Sequence, residues 1–261
     1  FRIGTGGTAG TYYPVGGMIA NAVSQPGKLV VTAQASNGSL ANVTGIAGGS
    51  IESGFSQADV ASWAYTGKGV FEGKPNIAGL RLIANLCPES VHVVVRKGSG
   101  IRSVADLKGK RVALDEPGSG TLVNARAVLA AWGVKESDIK PDYIKPNQAG
   151  DKLKDGALDA FFFVGGAPAG AIAELASSGA GIELVALAGP QADALRKANP
   201  YLAIDNIAAG TYKDVPAVQT MAVGAQWVTS AKADIETVYQ ITKALYSKAA
   251  QDALAAGHAK G

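Results

Sequence analysis

Apolar and β-branched runs alternate along this chain with apolar positions at helical spacing, and short glycine-rich turns separate the two. Residues 1–4 read as a strand, followed by the turn Thr5-Gly6-Gly7-Thr8-Ala9-Gly10. A helix is expected to begin near Tyr13, with Pro14 in its first turn, where a missing N–H costs nothing. Val15, Met18, Ile19, Ala22 and Val23 give it one apolar face, and Pro26-Gly27 ends it. The alternation then repeats. Residues 29–33 are β-rich, and the turn Ser36-Asn37-Gly38-Ser39 leads into a helix through Leu40, Val43 and Ile46. Residues 53–56 read as a buried strand, followed by Gln57-Ala58-Asp59 and a helix through Val60, Trp63 and Ala64. Residues 80–85 and 91–96 predict two more strands, the second with Val91, Val93 and Val95 on one face.

The second half follows the same rule. Ser103-Val104-Ala105-Asp106 has the form of a capping box with Asp in place of Glu. Residues 111–114 predict a strand, and Glu116-Pro117-Gly118-Ser119-Gly120-Thr121 a second Gly-rich turn. The helix after it buries Leu122, Ala125, Leu129 and Trp132 and stops at Gly133. Residues 160–164 are a strand, Gly165-Gly166 a third Gly turn, and Pro168 the expected start of the next helix. β character returns over residues 218–228, and an amphipathic helix is expected from Ala231 through Ile235, Val238, Tyr239, Leu245 and Tyr246. Strands alternating with helices predict an α/β protein with mostly parallel sheets. Two strand–Gly turn–helix starts, at residues 1–14 and 111–122, predict two similar lobes. The expected division is 1–93 plus 215–261 against 94–214, joined by a two-segment hinge near residues 93–98 and 205–220.

Composition narrows the partners. The chain has 261 residues, of which 34 are glycine and 17% are charged, against about 7% glycine and about 25% charged in an average soluble chain. No long uninterrupted apolar run marks a membrane span. A net charge of +3 without a long Lys/Arg cluster is no nucleic-acid footprint. The single cysteine, Cys87, excludes an intrachain disulfide and reads as a small apolar residue. The first 51 residues carry only two charged side chains, Arg2 and Lys28.

Catalytic signatures are missing. Gly4-Thr5-Gly6-Gly7-Thr8-Ala9 matches a dinucleotide fingerprint, but the acid required about 20 residues on is absent, the first acid being Glu52. The turn at 117–121 lacks the P-loop lysine, and neither Gly-x-Ser-x-Gly nor His-Glu-x-x-His occurs. His92 reads as a structural strand residue and His258 as inert, so no cofactor and no metal are expected. What remains is a set of Gly-rich turns that feed helix N-termini, where free N–H groups and the helix dipole favour anions. Thr8, Thr11, Tyr12, Tyr13, Ser36, Asn37, Ser39, Gln57, Asp59, Ser119 and Thr121 add polar groups to those turns. An enzyme on the same frame stays open as a rival, with Asp59, Asp115 and Glu116 as its acid or base candidates.

The segment from Ile3 to Gly16, Ile-Gly-Thr-Gly-Gly-Thr-Ala-Gly-Thr-Tyr-Tyr-Pro-Val-Gly, resembles the opening of the TAXI-type solute-binding proteins of TRAP transporters. The stretches 53–60, 93–101, 106–112, 117–121 and 156–160 agree in order. Cys87 departs from the pattern, standing where that family often has an aromatic residue. The resemblance implies a two-lobed, type II-like periplasmic binding protein, exported with a cleaved leader, monomeric, and partnered by a TRAP permease. It implies a small carboxylate or amino-acid ligand: glutamate, glutamine, 2-oxoglutarate or a related dicarboxylate. Carried over by position, the first lobe offers Thr8, Tyr12, Tyr13, Ser36, Asn37, Ser39, Gln57 and Asp59. The second offers Gly118, Ser119, Gly120, Thr121 and Phe163. Tyr13 or Phe163 is expected to pack on the ligand's carbon chain, and Asp59 either accepts from an ammonium group or caps its helix.

Overall fold

The computed structural model describes residues 1–179 and 181–257. The chain forms two compact units, Phe1–Cys87 with Gly224–Gly261, and Pro88–Val223. In chain order the first unit contributes β1 (Arg2–Gly4), α1 (Tyr12–Val23), β2 (Thr32–Gln34), α2 (Ser39–Ala47), β3 (Ser53–Gln57) and α3 (Ala58–Thr66). The strand β4 (Leu80–Arg96) then carries the chain into the second unit after Cys87. There follow β5 (Arg111–Ala113), α4 (Gly120–Ala131), β6 (Lys140–Asp142), α5 (Pro146–Lys154), β7 (Ala160–Gly165) and α6 (Gly170–Ser177). β8 (Ile182–Leu184), α7 (Pro190–Ala198) and β9 (Leu202–Ile207) complete that unit. β10 (Val218–Ser230) returns the chain to the first unit after Val223, and α8 (Ile235–Leu245) and α9 (Lys248–Gly257) follow.

The two units repeat one plan. In the first, β1 lies between β2 and β3 and runs parallel to both. In the second, β5 lies between β6 and β7, again parallel to both. Each unit thus has a β-α-β-α-β-α run with the strand order second, first, third. The sheets are mixed rather than mostly parallel. β10 runs antiparallel to β3 through Ala225–Thr229 and to β9 through Val218–Val223, and β4 runs antiparallel to β7 and β8. Apolar periodicity does not encode strand direction, so this difference was not readable from the pattern.

Packing explains the local boundaries. In α1, Val15, Ile19, Ala20 and Val23 are buried against Ile3, Phe55 and Trp227. Gly16 lets that helix approach the sheet, because a Cβ there would sit 2.6 Å from the Thr5 methyl. Tyr12 stands edge-on to Phe55 at 5.5 Å, and Phe55 edge-on to Trp227 at 6.2 Å. In the second unit the apolar run Ala160–Gly165 is buried on both faces. Its core includes Val94, Phe161, Phe163, Ile172 and Tyr212. β4 is continuous across Cys87-Pro88, where two strands were expected, and residues 89–95 are buried on both faces. α8 begins at Ile235 rather than Ala231, because Asp234 accepts from Thr237 N–H at 2.8 Å and caps it. α6 begins at Gly170, two residues after Pro168. The expected Ser103–Asp106 capping box is formed: Asp106 accepts from Ser103 N–H at 2.9 Å and Ser103 from Ala105 N–H at 3.2 Å. His258 lies outside the described residues.

Candidate functional site

The amino ends of the two repeats are fixed the same way. Arg2 donates from its backbone N and Nε to Glu52 Oε2, both at 2.8 Å, and from Nη2 to Oε1 at 2.5 Å. Arg111 donates to Asp159 in the same pattern: backbone N at 2.8 Å, Nε at 3.0 Å and Nη2 at 2.7 Å. Each acid directly precedes the third strand of its repeat. The arginine hydrogen bonds hold both carboxyls down at about 2. These clasps leave the carboxyl ends of the strands as the place where loops and helix N-termini meet. In open parallel sheets that edge, beside the point where strand order reverses, is where ligands bind.

In the first unit the three loops at that edge are stitched together. Thr5 N–H donates to Gln34 carbonyl at 2.9 Å. Ser36 Oγ donates to the Thr5 carbonyl at 3.0 Å and accepts from Gly38 N–H at 3.0 Å. Ser39 is buried and accepts from Gln57 N–H at 3.0 Å, joining the start of α2 to the end of β3. Gln57 is also buried, with no partner for its Oε1. Asp59 is fully buried in the first turn of α3 and accepts from Val60 N–H at 2.7 Å. Tyr12 lies against the core through Phe55, while Thr8, Tyr13 and Asn37 are exposed.

Sequence reasoning missed Asn42. This residue is 1% exposed, and its amide nitrogen faces three carbonyls: Gly4 at 3.0 Å, Thr5 at 2.7 Å and Phe55 at 2.8 Å. It pins the ends of β1 and β3 where strand order reverses. The glycines at positions 4 and 54 make room for it, since a Cβ would lie 2.5 Å and 2.8 Å from Asn42 atoms. The only signal in the sequence is an amide beside the apolar positions of α2.

The N-cap residues of the three helices at this edge supply no side-chain cap, and α3 alone carries an acid, Asp59, in its first turn. Neither Thr11, Gly38 nor Gln57 makes a side-chain hydrogen bond to the first turn of α1, α2 or α3. An α-helix leaves its first N–H groups without intrahelical partners, and the dipole makes that end positive.

The matching edge of the second unit is finished differently. Ser119 caps α4 by accepting from Leu122 N–H at 3.0 Å. Thr121 accepts from Val164 N–H at 3.1 Å, tying α4 to β7. Gly118 takes φ 95°, and Gly120 is the buried first residue of α4. Asp115 supplies a carboxylate in the same loop, in the left-handed region at φ 71°, which Asp tolerates better than most residues. Burial pushes its carboxyl up to about 6, against hydrogen bonds from Glu116 N–H at 2.7 Å and from Thr121 and Ser119. Phe163 is buried in the core beside His92, at 5.5 Å between ring centres.

The sequence profile of the NMT1-like family matches residues 3–260. The chain belongs to that family. It is 36% identical over 74 residues to an aliphatic sulfonates-binding protein of Escherichia coli (strain K12), a match spanning 28% of this chain and 23% of that protein. Among solved structures it resembles the alkanesulfonate-binding protein SsuA of Xanthomonas axonopodis pv. citri bound to MOPS. There the TM-score is 0.54 at 20% identity, covering 98% of this chain and 78% of that one. It also resembles PhnD1 of Prochlorococcus marinus (MIT 9301) in complex with methylphosphonate, with a TM-score of 0.61 at 13% identity over 99% and 90% of the two chains. The fold is the two-lobed periplasmic-binding-protein fold of substrate-binding receptors. The TAXI assignment is overturned by the NMT1-like match, and with it the TRAP permease and the glutamate or dicarboxylate ligand. The strand–Gly turn–helix motif that suggested it follows from close helix–sheet packing, as at Gly16 against Thr5, which is a requirement of the fold.

Proposed function

We propose that this chain is an extracytoplasmic receptor that delivers a small organic oxyanion, a sulfonate or phosphonate, to an ABC-type membrane transporter. The carrying observation is the pair of helix N-termini, those of α1 and α2, with neither a side-chain cap nor a first-turn acid at one edge of the first unit, in a segment whose first acid is Glu52. The names of its relatives support the ligand class: aliphatic sulfonates, an alkanesulfonate and methylphosphonate. A sulfonate or phosphonate spreads its charge over three oxygens, which suits N–H groups arriving from two helices better than a single charged side chain. In this reading the first-turn amides of α1 and α2 hold the anion. The exposed Thr8, Tyr13 and Asn37 surround it, and Ser36, Ser39, Gln57 and Asn42 fix the loops. Asp59 holds its own helix, and Tyr12 backs the site from the core. In the second unit Gly118, Ser119, Gly120, Thr121 and Phe163 shape the α4 turn and its packing rather than contribute to this anion site.

A thermal-shift panel tests the proposal. Methanesulfonate, ethanesulfonate and methylphosphonate are expected to raise the melting temperature, by about 2.7 kcal/mol of stabilisation at a hundredfold excess over Kd. Glutamate and 2-oxoglutarate serve as controls. Stabilisation by the carboxylates alone, or by none of these solutes, contradicts the reading.

A further inference from the structure

The β7–α6 turn of the second unit, Gly165 to Ala169, starts a helix whose N-cap residue, Ala169, has no side chain able to cap it. Its anchor comes from elsewhere. Ala169 N–H donates to Tyr212 Oη at 3.0 Å, and Tyr212 Oη lies 2.9 Å from His92 Nε2. His92 Nδ1 lies 2.9 Å from the Ser90 carbonyl. His92 and Tyr212 are each 1% exposed, and Ala169 is 2% exposed.

Valence assigns the protons of this chain for a neutral His92 ring. A carbonyl only accepts, so His92 Nδ1 carries the hydrogen. In the neutral ring Nε2 is then an acceptor, and Tyr212 O–H donates to it. The Tyr212 oxygen is left to accept from Ala169. Burial pushes the Tyr212 hydroxyl up to about 12, so it stays a donor across the whole accessible range. Protonating His92 places a second N–H against Tyr212 Oη. The Tyr212 hydrogen must then turn away from its only acceptor in the relay, inside the core.

We infer that His92 and Tyr212 are positioning residues for the β7–α6 turn, and that neutral His92 is the condition for holding it. Phe163 of β7 packs on the ring without charge. On β4, Ser90 donates to Asp205 of β9 at 2.5 Å, which keeps that carboxylate engaged one residue pair away. Glu89, three residues along β4, belongs to its other face. Beside Tyr212 in sequence are Lys213 and Asp214, the latter at φ 58°. Opening of the turn exposes a ring that protonates freely near its ordinary value of about 6.5. The open state therefore gains a proton as pH falls, and the closed turn weakens.

This inference does not depend on which solute is bound, and its test needs none. Amide exchange of the intact protein, followed at residues 165–171 and corrected for intrinsic rates, is expected to show protection falling about tenfold per pH unit below about 6.5. His92→Gln keeps a side chain that can accept from Tyr212, and is expected to leave the turn protected and its pH dependence flat. Tyr212→Phe removes the acceptor and is expected to lose the protection at every pH, while β5 and β7 stay protected. Nitrogen shifts of His92 in the unaltered protein check the tautomer without any substitution. A ring protonated at Nε2 and bare at Nδ1 overturns the relay. So does turn protection that is constant from pH 8 to pH 5, or protection unchanged by Tyr212→Phe.

Discussion

The two units share a strand order, a helix order and an arginine–carboxylate clasp, yet they finish the loop after the first strand in opposite ways. After β1 the loop has no acid, and α1 starts without a side-chain cap. After β5 the loop carries Asp115, and Ser119 caps α4. One repeat leaves a positive helix end open to an outside anion, and the other closes it with a carboxylate and a hydroxyl of its own. The same backbone plan therefore yields a β1–α1 loop with neither acid nor cap and a β5–α4 loop with both.

The largest expected effect comes from removing the pin of the open edge. Asn42→Ala leaves three buried carbonyls without their donor and is expected to cost about 3 kcal/mol, read from the urea midpoint of unfolding. A loss below about 1 kcal/mol would mean that the edge holds its shape without Asn42.

Asp115→Asn probes the closed edge. The folded carboxyl sits near 6, above its ordinary value of 3.8, so the folded state binds this proton more tightly than the unfolded chain. Stability from this group is complete below pH 3.8 and is lost as pH rises through 6. Asparagine stays neutral and also tolerates φ > 0, so the substitution is expected to stabilise the protein by up to about 3 kcal/mol at pH 8 and by nothing at pH 3.5. A difference independent of pH contradicts the assignment.

A third substitution turns the open edge into a copy of the closed one. A Cβ at Gly7 meets nothing within 4 Å, so Gly7→Asp adds a carboxylate to the β1–α1 loop with little strain. Solute affinity is expected to fall about tenfold or more, 1.4 kcal/mol or beyond, by titration calorimetry with the melting temperature nearly unchanged. The smallest effects belong to the shared clasps. Glu52→Gln and Asp159→Asn remove partly exposed ion pairs and are expected to shift stability slightly and alike, the shift shrinking in 1 M salt. A large loss at one clasp alone would break the symmetry of the repeats.

The repeat was legible because glycine turns, helix starts and apolar faces are local signals. Val15, Ile19 and Val23 announced the buried face of α1, and the Ser103–Asp106 box its turn. What stayed hidden was set by partners far along the chain. Asn42 acts on carbonyls up to 38 residues away. Phe163 reads as a ligand-facing ring until His92 and Tyr212 are packed against it. Ser119 and Thr121 look available in sequence, yet they accept from Leu122 and Val164. Residues 80–85 and 91–96 read as two strands, whereas β4 runs on through Leu86-Cys87-Pro88-Glu89 between them. The family resemblance failed for a related reason: its most specific segment encodes close helix–sheet packing, such as Gly16 against Thr5, which the fold itself requires.

The most direct test of the central claim is an amide-resolved NMR titration of the intact protein with methanesulfonate and methylphosphonate at pH 7.5. The account predicts saturable shifts at the first-turn amides of α1 and α2, Tyr12 to Tyr13 and Ser39 to Ala41, with the Ser119–Leu122 amides the less affected set. Shifts centred on the α4 turn, with the first unit unmoved, would contradict it.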